Sequence, residues 1–306
     1  MKKFLLRICL PVFLLVSISL AVLEIALRQW PDEHRTKANW MNENAAGLKV
    51  LVLGSSSTNR GVRPSLLELQ PAYSCAGMAQ DLQNDYFILK KYIDRMDSLK
   101  FVILDINYLT LFHSIDGLDR YKTLRNSYFL YYGNDRYKTN FIDRFEISWF
   151  GLEGLASKLQ YNKEEVREDG WVYSPNPGYT HEQLEKQGIG LSAEQTVIHG
   201  KEDSLYIQNV GYLNDIVSLC SAHNVSVLIV SCPVHESFYS RFDDEQVAAI
   251  NNAISGVLKS SDNVIYLNCF QNELFTDEDF INANHLNSAG AEKLSLLINN
   301  AIMGKE

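Results

Sequence analysis

An α/β domain of three layers, with a parallel sheet between two layers of helices, is the fold class this sequence predicts. Three observations point to it. Short runs of continuous apolar, β-type residues recur at 49–53 (KVLVL), 100–109 (KFVILDINYL), 225–233 (VSVLIVSCP) and 263–268 (NVIYLN). Stretches with apolar residues at helical spacing lie between them. Strands without polar alternation are buried on both faces, and that is the condition of a parallel strand covered by helices.

In chain order, Lys2, Lys3 and Arg7 precede an apolar run from Ile8 to Leu23 that resumes after Glu24 with Ile25, Ala26 and Leu27. About 20 apolar residues span a bilayer, and a basic flank stays on the cytoplasmic side. Ser19-Leu20-Ala21 offers a small-x-small cleavage site, but the run continues beyond it, so a retained anchor is preferred to a cleaved signal peptide. Residues 1–28 are thus read as the membrane segment, with Glu24 near the far interface, and the rest of the chain as exported to the extracytoplasmic side. No lipobox precedes Cys9. A polar stalk is expected over 29–47, and the α/β domain, with an insertion at about 112–204, over 48–306.

Lys49 to Leu53 is the first buried strand. Leu82, Phe87, Leu89, Tyr92, Ile93 and Met96 share a helical face before the second strand, "KFVILDINYL". Much later, Ile207, Val210, Leu213, Ile216 and Val217 mark a helix before "VSVLIVSCP", which Pro233 ends. Val247, Ile250, Ile254, Val257 and Leu258 mark the next helix, and "NVIYLN" the strand after it. Leu294, Leu297 and Ile298 belong to a last helix. Between the second and third units, residues 112–204 are too long for a plain loop and are expected to form a mostly helical insertion. It is rich in aromatics: Tyr121, Tyr128, Phe129, Tyr131, Tyr132, Tyr137, Phe141, Phe145, Trp149, Phe150, Trp171 and Tyr173. These rings either pack the insertion's own small core, the preferred reading, or form a sugar-stacking platform.

The chain has 306 residues, 46% hydrophobic and 21% charged, enough for a sizeable core, and a formal net charge of −9. An acidic chain with a pI near 5.3 and no basic stripe does not read as a nucleic-acid binder. Cys75, Cys220, Cys232 and Cys269 are far apart with no C-x-x-C pair, so buried small hydrophobes are expected and neither a metal site nor a cofactor is. A nucleotide site has little support either, because neither G-x-G-x-x-G nor G-K-[ST] follows the first strand.

In a parallel α/β sheet, ligands bind beyond the carboxyl ends of the strands. The first strand leads into Gly54-Ser55-Ser56-Ser57, the second to Asn107, and the chain's last apolar strand to "DEDFINANHLNSAGAEKLS" with His285. A serine hydroxyl needs a base within hydrogen-bond reach to act as a nucleophile. His285 is the preferred base and His235, after Pro233-Val234, the second choice.

These residues together resemble the SGNH/GDSL hydrolase superfamily, over about residues 48–110 and 205–302. The nearest branch is the membrane-anchored, envelope-polysaccharide group that includes alginate O-acetyltransferase-like and teichoic-acid D-alanylation proteins. Gly54-Ser55-Ser56 matches its nucleophile block, with Ser56 as nucleophile and Ser55 where an Asp is common, and "DFINANHLNSAGAEKLS" matches its terminal block. The resemblance implies a flavodoxin-like sheet. It further implies an oxyanion hole made by the Ser56 N–H, by Gly77 or Ala79 of "YSCAGMAQ", and by Asn107. Ser57 and Thr58 are expected to cap the turn or helix that follows. The family carries an acid three residues before the histidine; here that residue is Asn282, and Asn284 is also an amide. Asp279 is the one nearby acid that could fold back in its place. The resemblance therefore implies a Ser56–His285–Asn282 esterase or O-acyltransferase acting on an acylated glycan or a small ester, with a membrane partner as acyl donor. The alternative is an SGNH-type scaffold without catalysis that binds glycan or serves assembly.

Overall fold

Five strands form one parallel sheet: β1 (Val50–Leu53), β2 (Ala72–Ser74), β3 (Phe101–Asp105), β4 (Ser226–Ser231) and β5 (Val264–Asn268). Their spatial order, β2-β1-β3-β4-β5, is the flavodoxin-like one. Val52 pairs with Ile103 and Ser74, and Leu104 with Ile229. The computed structural model describes residues 2–138, 140–149, 166–176, 178–197 and 204–305. The parallel sheet expected from the four apolar runs is therefore present. The sequence reading lacked β2, whose three residues are too few to carry a periodicity.

The chain's contacts divide it into two units, residues 1–35 with 116–163, and residues 36–115 with 164–306. The second unit holds the sheet. Side chains of a strand alternate between faces. Val50, Val52, Ile103, Leu228 and Val230 join one buried cluster with Leu294, Ile298 and Ile302 of the last helix, α10 (Ser288–Met303). The alternate set, Leu51, Leu53, Val102, Leu104 and Ile229, is equally buried on the other face. There α4 (Leu82–Tyr92) packs on α7 (Ser204–Ala222), which also meets α9 (Asp244–Ser260). Leu213, Ile216, Val217, Ile250, Ile254 and Val257 are buried as their spacing predicts. Ile207 is exposed, and in α4 Ile88 rather than Phe87 takes the core position.

Residues 29–47 differ from the expected stalk. Glu33–Asn44 form a helix, α2, in which Ala38 and Met41 are buried. The Lys37 ammonium is fully buried and donates to Asn59 Oδ1 (2.7 Å) and to the Ala76 carbonyl (2.5 Å). Polar composition hid this, because a lysine at a satisfied core position reads in sequence as surface.

In the first unit, helix α1 (Lys2–Gln29) has a stretch, Arg7–Gln29, that is long and apolar enough to cross a membrane, with mean hydropathy 2.5. Two charged side chains in its last turns are bonded. Glu24 accepts from the backbone N–H groups of Glu146 (3.1 Å) and Ile147 (3.0 Å), and Arg28 bonds both Glu24 (2.7 Å) and the Arg144 carbonyl (2.7 Å). The described part of the expected insertion is helical. Helix α5 (Lys122–Ser127) runs into a π-helical turn, Tyr128–Tyr132, closed by Gly133 in the left-handed region (φ 72°). Tyr128, Phe129, Tyr132, Tyr137 and Trp149 are buried, the packing-core reading of these aromatics, whereas Phe141 is exposed. Phe150 lies outside the described residues. The insertion does not run to 204 as one piece: its described residues from 166 onward belong to the sheet unit. There helix α6 (His181–Gln195) begins at a Thr180–Gln183 capping box, and the buried Trp171 donates its indole N–H to the Arg60 carbonyl (2.7 Å).

Candidate active site

The turn that bears Ser56 is built by Gly54 and Ser55. Gly54 adopts φ +119°, and a Cβ there would meet Asp105 Cβ at 2.4 Å, so only glycine lets β1 turn this close to β3. Ser55 is the N-cap of the short helix α3 (Ser56–Gly61). Its hydroxyl accepts from the Ser57 N–H (3.4 Å) and donates to Asp105 Oδ2 (2.8 Å). The cap is thus Ser55, not Ser57 or Thr58; Thr58 instead donates back to the Leu53 (3.1 Å) and Ser55 (3.2 Å) carbonyls. Ser56 stands at the first helical position, half-buried, with an N–H that has no intrahelical acceptor.

His285 reaches Ser56 from the far end of the chain. It lies on an antiparallel hairpin, β6 (Phe280–Asn282) and β7 (His285–Leu286), just before α10. Asn287 caps α10 by accepting from the Ala289 (3.0 Å) and Gly290 (3.1 Å) N–H groups. A Cβ on Gly290 would come within 2.3 Å of the Asp279 carbonyl, so the glycine permits the close approach of helix and hairpin. The Ala283 N–H is held by Gln187 Oε1 of α6 (2.7 Å), and the Ala283 carbonyl by the His235 N–H (2.9 Å).

Ser56, His285 and Asn282 form one chain of hydrogen bonds. His285 Nε2 is 2.7 Å from Ser56 Oγ, and His285 Nδ1 is 2.9 Å from Asn282 Oδ1. The Asn284 backbone N–H, a fixed donor, bonds the same Asn282 oxygen (3.3 Å) and so orients that amide with its carbonyl toward the ring. A carbonyl oxygen can only accept. The ring proton therefore belongs on Nδ1, and Nε2 is left with its lone pair toward the serine hydroxyl. Desolvation of the ring, and then the Arg60 guanidinium, push the His285 imidazole down to about 3. No carboxylate bonds to this ring among the described residues.

The remaining expectations fare differently. Asp279 does not replace the missing acid, because its Oδ2 is occupied by Lys293 Nζ (2.7 Å) and the Thr276 N–H (2.8 Å). His235 is engaged away from Ser56: at the start of α8 (Glu236–Tyr239) its Nδ1 lies 2.7 Å from Ser237 Oγ and 3.2 Å from the Ser237 backbone nitrogen, and its Nε2 faces Asp277 (3.0 Å). Gly77 cannot serve as an oxyanion donor, since its N–H is engaged by the Gly54 carbonyl (3.0 Å). Asn107 spends both amide hydrogens on Ser55 Oγ (2.9 Å) and Asp105 Oδ2 (2.8 Å), so it braces the Gly54-Ser55 turn rather than presenting a free donor. Ala79 occupies the left-handed region (φ 52°) between β2 and α4, and its carbonyl faces the His113 ring (3.1 Å).

Sequence reasoning missed the buried carboxylates beneath the turn. Asp85 Oδ1 accepts from the Gly54 N–H (2.8 Å) and from Gln80 Nε2 (2.6 Å), and burial pushes this carboxyl up to about 8. Burial likewise pushes Asp105 up to about 6. Their signal was an Asp ending the strand "VILD" and an Asp on an otherwise apolar helix face, both easily read as surface residues.

No protein-family model matches the chain, and no curated protein matches it. Three solved structures align with it over most of its length. One is a Streptococcus pneumonia protein named for platelet activating factor, at 11% identity and TM-score 0.45, covering 94% of this chain and 99% of that one. The second is a Bacteroides fragilis protein described as an acylhydrolase, at 10% identity and TM-score 0.43, covering 87% and 94%. The third is a GDSL-like lipase from Bacteroides thetaiotaomicron, at 11% identity and TM-score 0.42, covering 89% and 99%.

Proposed function

We propose that this chain is a serine esterase or O-acyltransferase of SGNH type acting on acyl esters of a cell-envelope glycan. The observation that carries the reading is the hydrogen-bonded line from Ser56 through His285 to Asn282. Ser56 Oγ attacks the acyl carbonyl as its proton passes to His285 Nε2. The Ser56 and Ala79 N–H groups are the candidate donors for the tetrahedral oxyanion. His285 then protonates the departing alkoxide, leaving an acyl-serine, and draws a proton from water or a sugar hydroxyl to release the acyl group. The glycan, the membrane acyl donor and the extracytoplasmic placement are supported by the sequence resemblance and by the apolar helix α1.

Asn282 keeps the ring in the working tautomer but adds no charge to balance the imidazolium. In serine proteases the equivalent Asp-to-Asn change costs about 10⁴-fold in kcat, about 5 kcal/mol of barrier, by holding the ring in the wrong tautomer; here the tautomer is right and only the charge is missing, so that figure is an upper bound. That uncharged residue also favours the second reading, a non-catalytic module that keeps the fold to bind glycan.

Hydrolysis of a small activated acetyl ester by the full chain in detergent separates the two. Turnover that Ser56→Ala abolishes, and that Asn282→Asp raises by about 10²-fold or more, is the expected result. Equal background rates in all three proteins would leave the binding module.

A further inference from the structure

Three side chains that are remote in sequence and unused by the Ser56 site meet at one point of the sheet unit. His181 is the first residue of α6, His235 follows β4, and Asp277 lies in the 3-10 turn that leads into β6. His181 Nδ1 is 2.7 Å from Asp277 Oδ2, and His235 Nε2 is 3.0 Å from Asp277 Oδ1. One donor atom from each of the three lies within 4.8 Å of the others. We propose that His181, His235 and Asp277 bind a zinc-class divalent cation.

The donor set selects the class. Two imidazole nitrogens and one carboxylate suit zinc and its first-row neighbours, whereas magnesium and calcium take oxygen donors. Neighbouring donors around a tetrahedral zinc stand about 3.4 Å apart, given bonds of about 2.0–2.2 Å. The two His–Asp spacings, 2.7 and 3.0 Å, need to open by about half an ångström, and the widest donor spacing, within 4.8 Å, closes by at most about 1.4 Å through rotation of the exposed His181 side chain. His235 already has the outer contact typical of a ligating histidine. Its Nδ1 is 2.7 Å from Ser237 Oγ, whose own hydrogen goes to the Leu184 carbonyl (2.9 Å), so that oxygen can accept the Nδ1 proton and leave the Nε2 lone pair on the side of Asp277. The His235 ring is buried. Beside the three donors is a cavity of about 250 Å³, lined also by Glu185, Glu236 and Glu273. It leaves room for a fourth ligand from solvent.

The site ties down the catalytic hairpin. Asp277 is five residues before Asn282, and the His235 backbone N–H holds the Ala283 carbonyl at 2.9 Å. A cation here joins α6, the turn after β4 and the base of the loop that bears His285.

Titration of the untagged, chelator-stripped full chain in detergent with Co²⁺, read by its visible absorption, tests this, with Zn²⁺ as competitor. One saturable equivalent, displaced by Zn²⁺, is expected. His181→Ala is the decisive variant, because that side chain is 70% exposed and its loss leaves the core intact. It should weaken Co²⁺ binding at least 100-fold, Asp277→Asn should do the same, and Ser237→Ala should weaken it about 10- to 100-fold. Zn²⁺ should also raise the Tm of the unsubstituted chain and leave that of His181→Ala unchanged. Absence of a saturable Co²⁺ equivalent, or equal affinity in His181→Ala, would overturn the proposal and leave a hydrogen-bonded cluster only. None of these readouts depends on ester turnover.

Discussion

At the scale of single residues, the Ser56 site differs from a charged triad by one atom exchange, an amide nitrogen for a carboxylate oxygen at position 282. The consequence reaches beyond rate. With burial and Arg60 opposing its charge, His285 keeps its lone pair down to about pH 3. The acid limb of kcat/KM, which reports the free enzyme's base, should therefore fall near pH 3 rather than near the ordinary histidine value. In Asn282→Asp the new carboxylate, 2.9 Å from Nδ1 in the present geometry, favours the imidazolium, so the limb should move upward by one or more pH units as kcat rises. A pH series with both proteins measures this. Limbs that coincide would mean that the residue at 282 does not govern the ring's charge. The serine, the histidine and the asparagine were all legible in sequence, because each stands in a short motif whose chemistry constrains its neighbours. The oxyanion donors were less so. Whether the Gly77 N–H is free depends on a carbonyl 23 residues earlier, Gly54, and no local pattern encodes that.

At the scale of elements, the turn between β1 and α3 concentrates the constraint. Gly54 combines a left-handed backbone with contact distances that leave no room for a methyl group, the nearest atom being part of Asp105, on the neighbouring strand. Gly54→Ala must distort both elements and should cost about 3 kcal/mol or more of stability. A drop in Tm and in secondary-structure signal on heating would register it. A variant as stable as the parent would show that the turn relaxes freely. The four apolar strands and the helices between them were readable because burial on two faces requires uninterrupted apolar residues. The elements that escaped are those held by tertiary contacts alone. β2 owes its place to pairing with β1, the β6–β7 hairpin has only two to three residues per strand, and α2 buries a lysine through two hydrogen bonds. The cluster of His181, His235 and Asp277 escaped for the same reason, since 54 and 42 residues separate its members.

At the scale of the whole molecule, the buried ionisable groups around the Gly54-Ser55 turn set how global stability responds to pH. Asp85 and Asp105 are pushed up to about 8 and about 6 by burial, from an ordinary carboxyl value of 3.8. A carboxyl whose folded pKa lies above its unfolded value holds its proton longer in the native state. Its contribution to stability is complete below about pH 3.8 and is lost as pH rises, up to about 6 for Asp105 and about 8 for Asp85. His285 acts in the opposite sense. Its folded pKa is depressed from 6.5 to about 3, so the unfolded chain takes up the proton first, and stability falls as pH drops from 6.5 toward 3. Between about pH 7 and 8 the histidine is mostly neutral in both states and Asp105 mostly ionised in both, so Asp85 is the main one of these three still titrating. Asp85→Asn keeps an acceptor oxygen for the Gly54 and Gln80 donors and removes the titration. The Tm of the unsubstituted chain should decline across this window by several degrees more than that of Asp85→Asn, and the variant should be the more stable protein at pH 8.5. Parallel melting curves across the window would show that Asp85 is ionised in the native state at neutral pH, with its charge carried by the two hydrogen bonds to Oδ1.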